Sequence, residues 1–331
     1  MIKFGIVGTN WITERFLDAV KDLEDFTLSA VYSRTEEKAK TFAAKFGAEH
    51  TFTSLEEMAK SDVVDAVYIA SPNSLHSEQS ILMMNHGKHV LCEKPLASNT
   101  RETEAMIEAA KENNVLLMEA MKSTLSPNFK LLQDNLNKIG KVRRYHANFS
   151  KYSSRYDAYR EGTVLNAFNP EFSNGSLMDL GVYCIYPMVV LFGEPEDIKA
   201  SGIMLDSGVD GGGSLIAQYE GMEGILTHSK IQNSYIHSEI QGEEGSIIIE
   251  GGISSFNDMK VVYRDGSTEV ISAELDHHEM YYETEEFISL IKEGKTMSSI
   301  NSFENSLTTA KVIEAARKRI GVVYPADNKR C

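Results

Sequence analysis

The sequence predicts a doubly wound parallel α/β domain followed by an α+β domain with a mostly antiparallel sheet. Three observations support this fold class. Apolar runs alternate with helical patterns up to residue 121. Strand-like runs joined by tight turns dominate the remainder. A glycine-containing turn, in GIVGTNWIT, follows the first apolar run. We therefore divide the chain into residues 1–121 and residues 122–331.

The bulk composition is that of a soluble globular protein. The 331 residues are too many for one ordinary core. The formal net charge of -15 repels phosphate backbones and anionic lipids, so we expect neither a nucleic-acid nor a membrane partner. The N-terminus shows no signal-peptide pattern, and the longest apolar runs, such as MVVLF, are too short to span a bilayer. Three irregularly spaced cysteines (Cys92, Cys184 and Cys331) are typical of a reducing cytoplasm, where we expect the protein to reside.

The first 121 residues are expected to alternate strands and helices. The strands are predicted at residues 3–7, 27–32, 66–69, 89–92 and 116–120, and the helices at 12–23, 36–46, 55–60, 75–86 and 101–113. Thr100 is the expected N-cap of the last helix. Such units need right-handed crossovers and hence a parallel sheet, whose ligands bind beyond the carboxyl ends of the strands. The loops that follow these strands are therefore the expected site.

The remaining residues are expected to form a sheet of hairpin-connected strands. The strands are predicted at residues 142–149, 198–205, 214–219, 224–231, 238–241, 246–249, 260–263 and 268–271, with turns such as GEEGS and RDGST. Helices are predicted at residues 127–136, 177–192, 279–292 and 303–320. No repeat or flexible linker separates the two parts, so both domains should pack tightly.

The first loop approximates the dinucleotide fingerprint G-x-G-x-x-G. Gly8 occupies the first position, Asn10 the second and Thr13 the third. Asn is the residue besides glycine that best tolerates positive φ, so the turn can form, and Asn10→Gly should be tolerated or tighten cofactor binding. The cofactor contacts are expected from Gly8, Thr9, Asn10, Trp11 and Ile12. An ordinary turn between a strand and a helix is the alternative interpretation.

The end of the second strand bears on the choice of cofactor. An NAD site usually carries Asp or Glu here, whereas Arg suits the 2′-phosphate of NADP. Ser33, Arg34 and Lys38 can all donate to a phosphate, and no carboxylate stands among the residues Tyr32-Ser33-Arg34. We therefore expect NADP in preference to NAD. The alternative is that Arg34 is a solvated loop residue.

Two later loops add candidate site residues. Ser71, Pro72 and Asn73 are expected to run past the nicotinamide half of the cofactor, and His76, at the start of the helix that follows, is also an expected cofactor contact. Alone, such a histidine is more often a cap or packing residue.

The loop after the fourth predicted strand holds an ion pair. Glu93 and Lys94 follow the buried run KHVLC, which places an ammonium at the carboxyl edge of the sheet, and both residues are expected to contact the cofactor. Pro95 favours an extended conformation at Lys94. A solvated Glu-Lys pair is the alternative.

Taken in order, these motifs resemble the glucose–fructose oxidoreductase, inositol dehydrogenase and rhizopine-catabolism (Gfo/Idh/MocA) family. The motifs are the glycine turn, SPNSLH and CEKPLA. GSLMDLGVYCIYP at residues 175–187 is similar to the family's substrate-domain motif, and FISLIKEGK with FENSLTTAKVIEAARKRIG is similar to its C-terminal tail. The resemblance covers essentially the whole chain, and its specificity lies in the order of the motifs.

The resemblance implies a Rossmann domain in residues 1–121 and an α+β domain in residues 122–331, with a large, mostly antiparallel open sheet and helices on one face. It implies NAD(P)-dependent oxidation or reduction at a carbinol carbon of a sugar, polyol or related diol. By position, Lys94 matches the family's Glu-Lys-Pro lysine, Asp179 its aspartate, and Tyr183 the position where many members have histidine. Tyrosine there is similar to the glucose–fructose oxidoreductase and dimeric dihydrodiol dehydrogenase branches.

Three positions depart from the family pattern. Asn10 replaces a glycine, Asn174 interrupts a glycine run, and Lys122 stands near where many members carry Tyr-Arg. The departure at Asn10 bears on cofactor affinity, and the departures at Asn174 and Lys122 bear on the substrate.

The three carried-over residues suggest a proton-transfer mechanism. Asp179 and Tyr183 are four residues apart, so on a helix they share a face, and that face could meet Lys94. An ammonium about 4 Å from the phenol would lower its pKa from about 10 to about 7 before desolvation opposes it. Either Tyr183 is the acid/base, or Lys94 bonds the substrate oxygen and Tyr183 positions it. Alternatively, Tyr183 is a buried packing residue and Asp179 forms a salt bridge between domains.

The remaining expectations concern metals, assembly and class of function. The run Asp276-His277-His278-Glu279 looks like a ligand set but is expected to be solvated, so no metal site is predicted.

An uncovered apolar sheet face predicts a homodimer or homotetramer through the C-terminal sheet. The leading hypothesis is an oxidoreductase on a hydroxylated small molecule. The alternative is a cofactor-binding sensor that has lost turnover.

Overall fold

A computed structural model describes residues 1–328, so Cys331 lies outside the described part of the chain. Its contacts divide into two compact units. The first unit comprises Met1–Ala120 and His277–Ser306, and the second comprises Met121–Asp276 and the chain from Leu307 onward. Cys92 and Cys184 are buried free thiols.

The first unit is built around a parallel sheet, as the sequence predicts. Within residues 1–328 its six strands run in the order β3-β2-β1-β4-β5-β6. Their bounds are β1 Ile2–Val7, β2 Phe26–Tyr32, β3 His50–Phe52, β4 Ala66–Ile69, β5 His89–Glu93 and β6 Leu117–Ala120. The intervening helices are α1 Trp11–Val20, α2 Glu36–Phe46, α3 Leu55–Lys60, α4 Asn73–Met84 and α5 Thr100–Glu112. The reversal of strand order between β1 and β4 marks the edge where ligands bind in such sheets.

Two details of the first unit differ from the sequence prediction. The short strand β3 was not predicted, because its three residues are all half-buried and carry no apolar run. The N-cap of α5 is Asn99, whose side chain accepts a hydrogen bond from the backbone N–H of Glu102, and Thr100 is the first helical residue.

Residues His277–Ser306 group with the first unit, whereas the predicted division at residues 121 and 122 assigned them to the second. The cause is the helix α9, Glu279–Lys292, which packs against α1. Phe287 is fully buried, and its ring lies 5.9 Å from that of Phe4 in β1. Lys292 also forms an ion pair with Asp25. Residues His277–Ser306 therefore complete the hydrophobic core of the first unit.

The second unit contains a sheet of eight strands within the described residues, in the order β14-β13-β12-β11-β7-β10-β9-β8. The neighbours β7 and β10 are parallel, and the other neighbouring pairs are antiparallel. The bounds are β7 Val142–Ser150, β8 Asp197–Met204, β9 Asp210–Tyr219, β10 Met222–Ser229, β11 Ser238–Gly242, β12 Gly245–Ile249, β13 Met259–Tyr263 and β14 Thr268–Val270. This confirms the predicted fold class.

Helices and short turns accompany this sheet. They are α6 Pro127–Asn135, α7 Arg155–Arg160, a π-helical turn at Leu177–Gly181, α8 Val182–Phe192 and short 3-10 turns at Leu136–Ile139, Asn166–Phe168, Pro170–Phe172 and Pro325–Asn328. α10, Phe303–Ile320, begins in residues grouped with the first unit and continues into residues grouped with the second.

The sheet has one buried face and one solvent-facing face. In β9 the side chains of Leu215, Ala217 and Tyr219 are buried, whereas those of Ile216 and Gln218 are exposed. This alternation is typical of an antiparallel sheet covered on one side. The uncovered face carries polar side chains as well as apolar ones such as Ile216.

One apolar segment of the second unit is long enough to resemble a membrane span. Pro170–Phe192 has 23 residues and could cross a bilayer by length and composition, and it is longer than the runs noted in the sequence. However, 67% of its apolar window is buried inside the structure. Core helices of soluble proteins have this property.

Candidate active site

The first loop links β1 to α1 through a glycine that cannot be replaced without distortion. Gly8 has φ +108°, and a Cβ added there would lie 2.7 Å from the carbonyl oxygen of Ala70. The Thr13 hydroxyl donates to the Gly8 carbonyl at 2.8 Å, which closes the loop from the helix side. The sequence expectation that Gly8 makes the turn therefore has a structural cause.

Asn10 fits the loop for a different reason from the one predicted. Its φ is -106° and its ψ 178°, so tolerance of positive φ is not involved and that interpretation was wrong. Instead Asn10 is the N-cap of α1, and its Oδ1 accepts from the backbone N–H groups of Ile12 and Thr13. Its Nδ2 donates to the Ala70 carbonyl at 2.6 Å. Asn10 thus ties the loop after β1 to the end of β4.

The helix that starts here leaves a donor-rich, exposed surface. Trp11 is 55% exposed, and the guanidinium of Arg15 lies 5.8 Å from its ring centroid. The N-terminus of a helix favours anions through its backbone N–H groups and its dipole. Thr9 in the loop and Ile12 in the first turn of α1 are half-buried.

The end of β2 presents cations without acidic partners. Ser33 is buried, and its backbone N–H donates to the Phe52 carbonyl at 3.1 Å. Arg34 and Lys38 are exposed, and neither forms an ion pair with a carboxylate of residues 1–328. A phosphate could therefore be bound here without displacing an internal salt bridge.

His76 holds two loops together and is not exposed to a ligand. It is 0% exposed, with Nδ1 3.0 Å from the Pro95 carbonyl oxygen and Nε2 2.9 Å from the Ser71 carbonyl oxygen. Burial lowers the pKa of His76, these carbonyls raise it, and the charge of Lys94 lowers it further. The placement favours a bracing role over the predicted cofactor contact. Ser71, which His76 braces, lies at the carboxyl end of β4. The half-buried Pro72 and Asn73 follow it.

Lys94 emerges from β5 beside two buried carboxyl groups. It is half-buried, and its peptide bond to Pro95 is cis. Glu93 accepts a hydrogen bond from the Tyr68 hydroxyl at 2.6 Å, and Glu119 of β6 accepts one from the backbone N–H of Leu96 at 3.0 Å. Glu93 is therefore a buried acceptor within the sheet edge, and not the solvated partner of Lys94 that the sequence allowed.

In the second unit Asp179 pairs with a buried lysine. Lys230 donates to Oδ2 of Asp179 at 2.7 Å, and its ammonium lies 5.5 Å from the ring of Phe168. The side chain of Lys230 is 4% exposed and that of Asp179 35% exposed. Both residues belong to the second unit, so this ion pair is not the bridge between domains that was considered.

Tyr183 lies one turn beyond Asp179, but the helix between them is irregular. Asp179 falls in the π-helical turn Leu177–Gly181, and Tyr183 falls in α8, which begins at Val182. π-helical turns occur often at functional sites. Tyr183 is half-buried and packs edge-on against the ring of Phe149 at 5.5 Å.

A buried polar cluster supports the π-helical turn. Oδ2 of Asp210 accepts from the backbone N–H of Leu177 at 2.7 Å, and the Ser176 hydroxyl lies 2.9 Å from Nδ1 of His228. Burial raises the pKa of Asp210 to about 6 and lowers that of His228 to about 4. Gly175, with φ +138°, leaves room for Asp210, because an added Cβ would lie 2.4 Å from its Oδ1.

Sequence reasoning missed Lys230, Glu119 and Asp210. Asp210 begins β9, Lys230 directly follows β10 and Glu119 lies inside β6, and no spacing in the sequence marks any of the three. A charged residue inside the otherwise apolar run LLMEAM, which holds Glu119, is the one signal in the sequence, because buried carboxyl groups are rare.

Residues 276–279 lead into the helix α9. His278 is the N-cap of α9, its Nδ1 accepts from the Met280 N–H, and the ring of His277 stacks on Tyr281 at 3.9 Å. No group of three or more His, Cys, Asp or Glu side chains suited to a metal occurs within residues 1–328.

The two departures in the second unit have structural partners. The Lys122 ammonium donates to the Ser254 carbonyl at 3.3 Å, and the Asn174 carbonyl accepts from the Tyr324 hydroxyl at 2.7 Å.

Two profiles of one family match most of the chain. Residues 2–121 match the GFO/IDH/MocA profile described as "Oxidoreductase family, NAD-binding Rossmann fold". Residues 135–248 match the profile described as "GFO/IDH/MocA C-terminal domain".

Relatives extend this similarity over the full chain. The chain is 62% identical over 327 residues to scyllo-inositol 2-dehydrogenase (NADP(+)) of Bacillus subtilis (strain 168), covering 99% of both chains. It is 30% identical over 335 residues to trans-1,2-dihydrobenzene-1,2-diol dehydrogenase of Xenopus tropicalis, covering 98% of this chain and 99% of that one. A crystal structure of a 3-ketoreductase from Actinomadura kijaniata in complex with NADP and TDP-benzene superimposes with a TM-score of 0.84 at 25% identity, covering 98% of this chain and 99% of that one.

Proposed function

This chain belongs to the GFO/IDH/MocA oxidoreductase family, and we propose that it is an NADP-dependent dehydrogenase of a cyclitol or a related sugar or diol. A hydride moves between the nicotinamide and a ring carbon that carries a hydroxyl group. One observation carries the proposal. The 62% identity to an enzyme named for scyllo-inositol and NADP spans 99% of both chains.

The residues of the first unit suit NADP. The loop after β1 would offer a pyrophosphate the N–H groups of Thr9, Asn10 and Trp11 together with the dipole of α1, because the Ile12 and Thr13 N–H groups already donate to Asn10. Gly8 allows the close turn and Asn10 fixes it. Arg34 and Lys38 are exposed cations that suit a 2′-phosphate, and the Ser33 hydroxyl adds a donor. The bound cofactor would supply hydride acceptance and donation.

Lys94 and Tyr183 are the proposed proton-transfer groups. Oxidation of a carbinol needs a group to accept the hydroxyl proton, and reduction of the ketone needs the same group to return it. A lysine ammonium at the end of β5 can bond the substrate oxygen and stabilise negative charge on it. The Tyr183 phenol, half-buried on α8, is the second group able to exchange that proton.

Asp179 is proposed to bind substrate as a carboxylate and not to act as the base. Its Oδ2 already accepts from the Lys230 ammonium at 2.7 Å, which favours the ionised form. The 35% exposure of its side chain leaves oxygen surface for a substrate hydroxyl group. Carboxylates are common acceptors for polyol hydroxyl groups because each oxygen carries two lone pairs.

A steady-state screen tests the proposed activity. NADP reduction would be followed with scyllo-inositol, other inositols, hexoses and diols, and NADPH oxidation with the matching ketones. We expect turnover with at least one cyclitol, with NADP strongly preferred over NAD. Tight NADPH binding without turnover on any compound would instead support a sensor that has lost activity.

The protein is also proposed to be a cytoplasmic homodimer or homotetramer that associates through the uncovered face of the second sheet. Ile203 of β8 and Ile216 of β9 are 51% and 42% exposed on that face. Exposed apolar side chains on an open sheet favour a partner surface. Sedimentation at micromolar concentration tests the assembly, and Ile216→Lys should shift the protein towards the monomer. A wild-type monomer would refute it.

A further inference from the structure

Lys94 is followed by Pro95 and Leu96, whose backbone groups are hydrogen-bonded by buried side chains. We call residues 94–96 the lysine loop. The Pro95 carbonyl oxygen lies 3.0 Å from Nδ1 of His76, and the Leu96 N–H donates to Oε1 of Glu119 at 3.0 Å. His76 is 0% exposed and Glu119 2% exposed. The conformation of the lysine loop therefore depends on two titratable groups that a substrate does not reach.

We propose that Glu119 is a positioning residue for Lys94, and that its protonation state sets the charge beside Lys94 and the hydrogen bonding of the loop that follows. The proposal rests on the proposed role of Lys94 in catalysis. As a carboxylate, Glu119 accepts a charge-assisted hydrogen bond from Leu96 and places negative charge near the Lys94 ammonium. As a neutral acid it does neither.

The surroundings of Glu119 place this transition near neutral pH. Burial raises the pKa of Glu119 to about 7, and the negative charge of Glu93 adds to the rise. The Ser306 hydroxyl, the Leu96 N–H and the positive charge of Lys94 oppose it. Cys92 also faces Glu119, but burial raises the pKa of its thiol well above the ordinary value, so it stays neutral.

The polar atoms of Glu119 agree with a group that can hold a proton. Oε1 faces the Leu96 N–H, whereas Oε2 is buried without a partner of ordinary hydrogen-bond geometry in the described residues. A permanent carboxylate would leave a charged oxygen desolvated, which is costly. Glu119 pairs with Cys92 of β5 and is 2% exposed, so its carboxyl group is shielded from water.

A lysine-labelling experiment tests the coupling without any assay of turnover. Lys94 reactivity towards an acylating reagent would be measured by peptide mass spectrometry across pH, in the wild type, Glu119→Gln and the control Glu112→Gln. Glu112 is an exposed carboxylate at the end of α5. Loss of the Glu119 carboxylate should lower the Lys94 pKa, so that more of the lysine is the reactive free amine and labelling at about pH 8 rises several-fold. Glu112→Gln should match the wild type.

Stability measurements give a second readout with a defined sign. A folded pKa above the unfolded value means that the folded chain binds more protons between the two, so the contribution of Glu119 to stability falls as pH rises from about 4.3 to about 7. Glu119→Gln removes this fall. The urea midpoint of the variant should therefore rise relative to the wild type between about pH 5 and about pH 8.

The activity profile then links the coupling to catalysis. The wild-type kcat should show a transition near pH 7 that Glu119→Gln lacks, with the KM for NADP unchanged and turnover lower several-fold at about pH 8. Identical Lys94 labelling and identical pH-dependent stability in wild type and Glu119→Gln would overturn the proposal. An absence of turnover with a clear labelling difference would instead contradict the proposed function alone.

Discussion

The ion pair between Asp179 and Lys230 predicts an asymmetry between two substitutions. Asp179→Ala removes the ion-pair partner of Lys230 among the described residues. It leaves the ammonium, 4% exposed, with the Ala167 carbonyl at 3.5 Å, the Phe168 ring and the charge of buried Asp210. Lys230→Met instead leaves a carboxylate that is 35% exposed and can be hydrated. The aspartate variant should therefore be the less stable of the two.

The magnitudes follow from burial. Removing one partner of a buried pair and stranding the other costs about 3–5 kcal/mol, which applies to Asp179→Ala. Lys230→Met keeps the volume of the side chain and loses one charge-assisted hydrogen bond, so about 1.5–3 kcal/mol is expected. The double variant has no stranded charge, and it should be more stable than Asp179→Ala alone by about 1–3 kcal/mol.

Urea unfolding followed by circular dichroism measures these differences, provided that the slope with denaturant stays constant. Glu250→Ala is a matched control, because Lys260 and Glu250 are also 2.7 Å apart but are 35% and 39% exposed. Its midpoint should barely move, since water screens exposed pairs. The predicted asymmetry is wrong if Asp179→Ala is no less stable than Lys230→Met, or if the double variant shows simple additivity.

Three further predictions concern the cofactor and the chemistry. Lys94→Ala and Tyr183→Phe should each lower turnover roughly 100-fold or more while NADPH affinity stays within a few-fold; wild-type rates would remove them from the mechanism. Arg34→Ala should weaken NADPH binding roughly 10- to 100-fold and NADH binding little, as measured by calorimetry, and an equal loss for both would disprove a 2′-phosphate contact. NADPH should change Trp11 fluorescence saturably; a silent Trp11 would contradict the loop assignment. The capping role of Asn10 reverses the expectation from the sequence, so Asn10→Gly should weaken that binding because the Ala70 hydrogen bond is lost.

The elements of the first unit could be predicted because apolar strands and amphipathic helices leave different spacings in the sequence. β4, α2 and α3 begin and end at the predicted residues. β3 could not be predicted, since three half-buried residues leave no period. The return of α9 to the first unit depends on the packing of Phe287 near Phe4, and no local pattern records such a contact.

The sequence marks several candidate residues but does not show the structural role of each. Asn10 was identified as a loop member, but its capping role was missed, even though Asn before an apolar helix is a common N-cap signal. Lys230 could not be found, because a single lysine after a strand resembles a solvated one until its burial is known. His76 lies near the start of α4, and only its burial shows that it braces Ser71 and Pro95.

The proposed activity is tested most sharply by the rate of NADP reduction with scyllo-inositol, measured beside NAD under the same conditions. We expect saturable turnover with NADP, a much lower kcat/KM with NAD, and loss of that preference in Arg34→Ala. No turnover with scyllo-inositol, other cyclitols, sugars or diols, or a preference for NAD in the wild type, would contradict the proposed function.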